Sequence, residues 1–135
     1  RVLERVDVGE NRAELIVRTE TAKATALGRI MAWGNDPQRE WYWHHWIATP
    51  DDRTKDVSLL FEREGPYTWG QILRRWQVDH NRPVRVRNRW TGRMETQVSA
   101  FNCRCSVART PKEPHELLAE GKINREQFQE MEDAA

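Results

Sequence analysis

The sequence predicts an α+β domain in which a long N-terminal helix packs on a small, mainly antiparallel sheet, followed by an extended acidic C-terminal tail containing short helices. Three features carry this expectation: an apolar stripe at helical spacing before residue 34, period-two alternation in two later stretches, and a switch to acidic character after Pro111. A chain of 135 residues has enough material for one core with appendages. The expected division is 1–110 for the domain and 111–135 for the acidic extension.

The clearest element runs from Asn11 to Trp33, where Leu15, Thr19, Ala22, Ala26, Ile30 and Trp33 recur at spacings of 4, 3, 4, 4 and 3. That places them on one helical face. Asn11 fits an N-cap with Glu14 three residues on, and Gly34-Asn35-Asp36-Pro37 stops the helix. From Arg39 to Thr49, Trp41, Trp43 and His45 alternate with Tyr42, His44 and Trp46, which predicts a strand. Pro50-Asp51-Asp52 is a turn. The stretch from Arg53 to Gly70 mixes polar residues with a Leu59-Leu60-Phe61 run and a Gly65-Pro66 break, and predicts no definite element. Gln71 to Trp76 suits a helical turn before the Asn81-Arg82-Pro83 break.

A hairpin is expected between Val84 and Ser99, where Val84, Val86 and Trp90 alternate with Arg85, Arg87 and Arg89 before a Thr91-Gly92 turn. Cys103 to Ala108 could add a short strand. Beyond Pro111 and Pro114 a short helix is expected near His115 to Glu120. Another opens at Asn124, with Gln127 completing a capping box.

Charged residues make up 32% of the chain and hydrophobic residues 38%, with a mean hydropathy of -0.90, so the core must be economical. Seven tryptophans can supply much of it, or mark an assembly surface. The net charge of +1 hides two opposed blocks. Arg74 to Arg93 holds seven arginines against Asp79, and Lys112 to Asp133 holds seven acids against three bases.

No window approaches the roughly 18 to 20 apolar residues of a membrane span, and no leader precedes a cleavage site; no membrane partner is expected, and the cytoplasm is the expected place of assembly. Two cysteines spaced C-x-C rule against a disulfide framework. Because the sequence opens at Arg1, a processed product or a part of something longer is expected.

Three pieces in order are distinctive: Arg12-Ala13-Glu14-Leu15-Ile16-Val17-Arg18-Thr19-Glu20-Thr21, then Asp51-Asp52-Arg53, then Asn102-Cys103-Arg104-Cys105. An R-T-E-T helix about eighty residues before an N-C-R-C segment resembles the phage Mu F-like head morphogenesis family, over roughly Asn11 to Thr110. The resemblance implies a minor capsid protein of a tailed phage, carried inside the head near the portal, with effects on assembly and on DNA packaging or delivery. It implies the portal protein as partner, then the major capsid protein and packaged DNA, and no catalysis. In that family a histidine commonly follows the arginine of the acidic segment by about five positions, whereas Arg53 here leads through Lys55 to Ser58.

Each motif has a plain structural reading. Arg18 and Glu20 lie about 200° apart on a helix, so they fit anchors that pin it to the sheet through buried ion pairs, the alternative being a partner-binding role for Arg18. Thr19 shares the apolar stripe. Asp52 and Arg53 fit a structured turn. Cys103 and Cys105 would share one face of a strand, suited either to burial as small apolar residues or, with a recruited His44, His45 or His80, to a tetrahedral zinc site. Arg85, Arg87 and Arg89 would project from one strand face about 6 to 7 Å apart, matched to DNA phosphates, to protein carboxylates or to solvent.

Two other function classes compete. Mu F-like domains also occur joined to nuclease or ADP-ribosyltransferase-like effectors, and Asp79-His80-Asn81 superficially resembles part of a His-Asn-His nuclease core. No second histidine or asparagine follows at a useful spacing, so the constellation of base, orienter and charge stabiliser is missing. A free DNA-binding module would rest on the arginine strand alone.

Overall fold

The computed structural model describes residues 21–101 and 103–135. Helix α1 covers 21–34 of these; the anticipated portion from Asn11 to Glu20 lies outside the described residues. Ala26 and Ile30 are buried and Trp33 half-buried, as the stripe requires. The helix ends at Gly34, where the Trp69 indole crosses so closely that a Cβ would overlap the ring.

A 3-10 turn, Arg39–Trp41, leads into β1, Tyr42–Ile47. The aromatic alternation is real, and its inward face is His44, Trp46 and, beyond the strand, Ala48. The uncommitted stretch contains a nine-residue helix, α2, Asp56–Glu64, which buries Val57, Ser58 and Phe61. Helix α3, Trp69–Gln77, is longer than the single turn anticipated and opens on a capping box between Thr68 and Gln71. A second 3-10 turn, Asp79–Asn81, precedes the hairpin of β2, Val84–Arg87, and β3, Met94–Gln97.

Strand β4, Ser106–Pro111, starts later than expected, so Cys103 and Cys105 precede it. It pairs antiparallel with β1 in the register Tyr42 to Pro111 and Ile47 to Ser106. The single small sheet anticipated is therefore two separate two-stranded sheets, β1-β4 and β2-β3. Two-stranded sheets cannot bury much alone, and helices supply the rest: Arg29 donates to Val107 O at 2.9 Å and the Trp69 indole to Ile30 O at 2.8 Å.

At the centre, Trp46 meets Phe61 at 5.1 Å, Trp76 at 4.8 Å and His80 at 5.1 Å between ring centroids. The tryptophans thus divide: Trp46 and Trp76 are buried, whereas Trp90 is 67% exposed.

The acidic extension folds as α4, Pro114–Ala119, and α5, Arg125–Ala134, the latter capped by Asn124 and Gln127 as expected. Leu117 is buried, and the Trp43 indole donates to Glu116 Oε2 at 3.1 Å, so α4 rests against β1. Among the described residues no helix is long and apolar enough to cross a membrane.

Candidate functional site

The Asp51-Asp52-Arg53 turn and the Cys103-Arg104-Cys105 segment meet. Arg104 donates Nη2 to Asp51 Oδ1 at 2.6 Å and Nη1 to Oδ2, a two-pronged pair joining positions 53 apart in sequence. The Arg104 guanidinium holds the Asp51 carboxyl well below the usual carboxylate range, and the Arg53 backbone N–H, 2.9 Å from Oδ1, acts in the same direction. Thr49 Oγ1 donates to Arg104 O at 2.7 Å and the Thr54 hydroxyl donates to Thr49 O, which closes the turn onto the segment. Asp52 and Arg53 are exposed, and Arg53 also lines the cavity beneath the contact.

Beneath this contact lies a cavity of about 10 Å³, lined in part by Lys55, Ser58, Ser99, Cys103 and Cys105. It has room for about one water. Ser58 and Ser99 share a buried hydroxyl contact at 2.9 Å. Lys55 Nζ donates to Val98 O at 2.8 Å and to Phe101 O, and burial pushes its pKa down. The two thiols are buried side by side, with the Cys105 N–H donating to Cys103 Sγ at 3.3 Å. Their mutual hydrogen bond pushes Cys103 up, reinforced by burial, and pulls Cys105 down against burial, so the pair releases one proton far more readily than two.

The zinc expectation finds no completed shell. Among the described residues no group of three histidine, cysteine or carboxylate side chains gathers, and a structural zinc needs four ligands. The three histidines considered as recruits are engaged elsewhere. His44 Nδ1 faces Tyr67 O at 3.2 Å, and His45 Nε2 faces Thr110 Oγ1 at 2.8 Å. His80 packs against Trp76 at 4.4 Å and is 1% exposed. Burial pushes its pKa down to about 4.

The arginine strand splits as well. Arg85 and Arg87 face outward from β2, but the strand ends at Arg87, and Asn88 Oδ1 accepts from the Trp90 and Thr91 N–H groups in an Asx-type turn. Arg89 consequently leaves the common face and folds back onto α2, donating Nη1 to Asp56 Oδ1 and Nη2 to Thr54 O, both at 2.7 Å. Arg85 and Arg87 instead border an open groove of about 530 Å³ floored by Leu59, Leu60 and Met94.

Arg18, Thr19, Glu20 and Asn102 lie outside the described residues. Ser99 and Arg63 carry no sequence signal as site residues, and Asp51, Lys55 and Ser58 enter the sequence reading only as positions in or after the acidic motif. Asp51 stood inside the motif, yet nothing local distinguishes it from Asp52 until Arg104 arrives. Comparison with protein-family models, with curated proteins and with solved structures finds no match for this chain.

Proposed function

We propose that this chain is a Mu F-like head morphogenesis domain, a minor capsid component of a tailed phage that acts in head assembly and in DNA packaging or delivery near the portal. The observation that carries the reading is the Asp51–Arg104 pair. Two of the three sequence pieces behind the resemblance, remote in the chain, form one physical unit. Unrelated coincidences of sequence have no reason to meet in space.

The role is structural and non-enzymatic. A cavity of about 10 Å³ beneath the motif admits no substrate, and it holds its polar groups against one another. His80, the centre of the nuclease-like triplet, is shut between Trp46 and Trp76, which suits a core residue better than a general base that must reach water. The partners are the portal first, then the major capsid protein and packaged DNA, and the location is the head interior or the portal vertex. No cofactor is needed; zinc at Cys103 and Cys105 would require ligands beyond the two thiols.

A DNA-binding module is the second reading, favoured by the outward Arg85 and Arg87. It predicts affinity for duplex DNA that falls steeply with salt. The deciding experiment is co-purification of the tagged chain with the portal protein of the same phage, followed by sizing and metal analysis. A stable complex of fixed ratio is expected. Metal-dependent cleavage of DNA or RNA that His80→Ala abolishes would overturn the structural reading.

A further inference from the structure

Arg63, Arg85 and Arg87 line one groove, and among the described residues no carboxylate pairs with them. Arg85 and Arg87, two residues apart on the exposed face of β2, are separated by about 6.6 Å. Arg63 stands on α2, on the rim of the same groove. Among the described residues Arg63 and Arg85 make no hydrogen bond or ion pair, and Arg87 gives only Nη1, to Gly92 O at 2.6 Å. Asp56, also on the rim, is already held by Arg89 at 2.7 Å. The groove is therefore positive, with an apolar floor of Leu59, Leu60 and Met94. Trp90 stands 67% exposed in the loop of the same hairpin, the kind of aromatic that anchors interfaces.

The other end of the chain carries the complement. On α5, Glu126, Glu130 and Asp133 fall at i, i+4 and i+7, which makes one stripe. All three are exposed, and the half-buried Phe128 and Met131 occupy the opposite side of the helix. Glu126 and Glu130 are about 6 Å apart along the axis, the interval of Arg85 and Arg87. Neither is in an ion pair among the described residues, and Asp133 accepts only from Gln129 at 2.9 Å. No hydrogen bond or ion pair joins this stripe to the three arginines of the same chain.

We propose that the arginine groove of one copy receives the acidic stripe of α5 from a second copy. The two surfaces are different patches, so the contact is head-to-tail, and repetition builds a ring if the rotation closes or an open string if it does not. Matched spacing sets arginine against carboxylate at two successive positions. The apolar floor favours a helix over a nucleic-acid backbone, because Leu59, Leu60 and Met94 gain only from covering carbon. The contact needs no portal, so its test on the purified chain stands apart from the portal experiment.

Sedimentation velocity over a wide concentration range, at low and at high salt, is the test. At low salt the mass should rise with concentration, and high salt should reverse it. Arg85→Glu with Arg87→Glu should weaken association at least about tenfold, as should Glu126→Lys with Glu130→Lys, and an equimolar mixture of the two variants should recover it. These positions are exposed, and circular dichroism verifies that each variant folds. Three results would overturn the proposal: a wild-type chain that stays monomeric throughout, association that ignores both charge reversals, or a monomer that instead binds a short DNA duplex through Arg85 and Arg87.

Discussion

The contact around Asp51 and the groove around Arg85 are made from the same residue types and put them to opposite uses. At Asp51 the arginine is met from within: Arg104 takes the carboxylate with two nitrogens, and beneath it the Ser58 and Ser99 hydroxyls meet each other while Lys55 donates to Val98 O. At the groove Arg85 and Arg87 border apolar side chains and pair with no carboxylate among the described residues. The difference arises from backbone context. Arg104 follows a buried cysteine in a segment pressed onto the turn, while Arg85 and Arg87 alternate with Val86, whose burial forces them outward. Residue type alone does not separate an internal brace from a contact surface; pairing does.

The comparison breaks most visibly at the core on which the closed region rests. Trp46→Ala should cost about 3 to 5 kcal/mol in urea unfolding, the range for truncating a buried large aromatic. A loss below about 1 kcal/mol would mean that the aromatic cluster is not the core of the cooperative unit.

His80 provides the next largest effect. Its folded pKa of about 4 lies below its ordinary 6.5. Between those values the unfolded chain binds a proton that the folded chain refuses, so stability falls as pH drops from 6.5 toward 4 and levels below. The full drop is on the order of 3 kcal/mol. His44, also pushed down by burial, adds in the same direction. The His80→Gln variant should show a flatter stability profile over this window; an unchanged slope would show that His80 takes up a proton without unfolding.

Smaller effects separate the two arginine sites directly. Arg104→Ala should lower the urea midpoint measurably, since it leaves the Asp51 carboxylate without its guanidinium partner. Arg85→Glu with Arg87→Glu should leave stability within about 0.5 kcal/mol of wild type. Equal effects from the two would erase the distinction.

Local signals were legible and long-range ones were not. The Ala26-Ile30-Trp33 stripe, the aromatic strand, the Thr91-Gly92 turn and the Asn124 cap all depend on residues within a few positions, and each was readable. Helix α2 is only weakly signalled: Val57, Leu60 and Phe61 sit at helical spacing, but the contiguous Leu59-Leu60-Phe61 run and the Gly65-Pro66 break blur that period. The pairing of β1 with β4, about sixty residues apart, and that of Asp51 with Arg104 leave no local trace. The alternation continues through Arg89 and so places it on the strand face, whereas Asn88, whose side chain accepts from the Trp90 and Thr91 N–H groups, turns the chain before it. Cys103 and Cys105 were placed on a strand by the same extrapolation of period two.

The most direct test of the assembly role is the copy number of this chain in purified phage heads, measured by quantitative mass spectrometry against the portal protein. A fixed low copy number, constant between preparations and in simple proportion to the portal, is the expected result. Heads that lack the chain at every stage of assembly would contradict it.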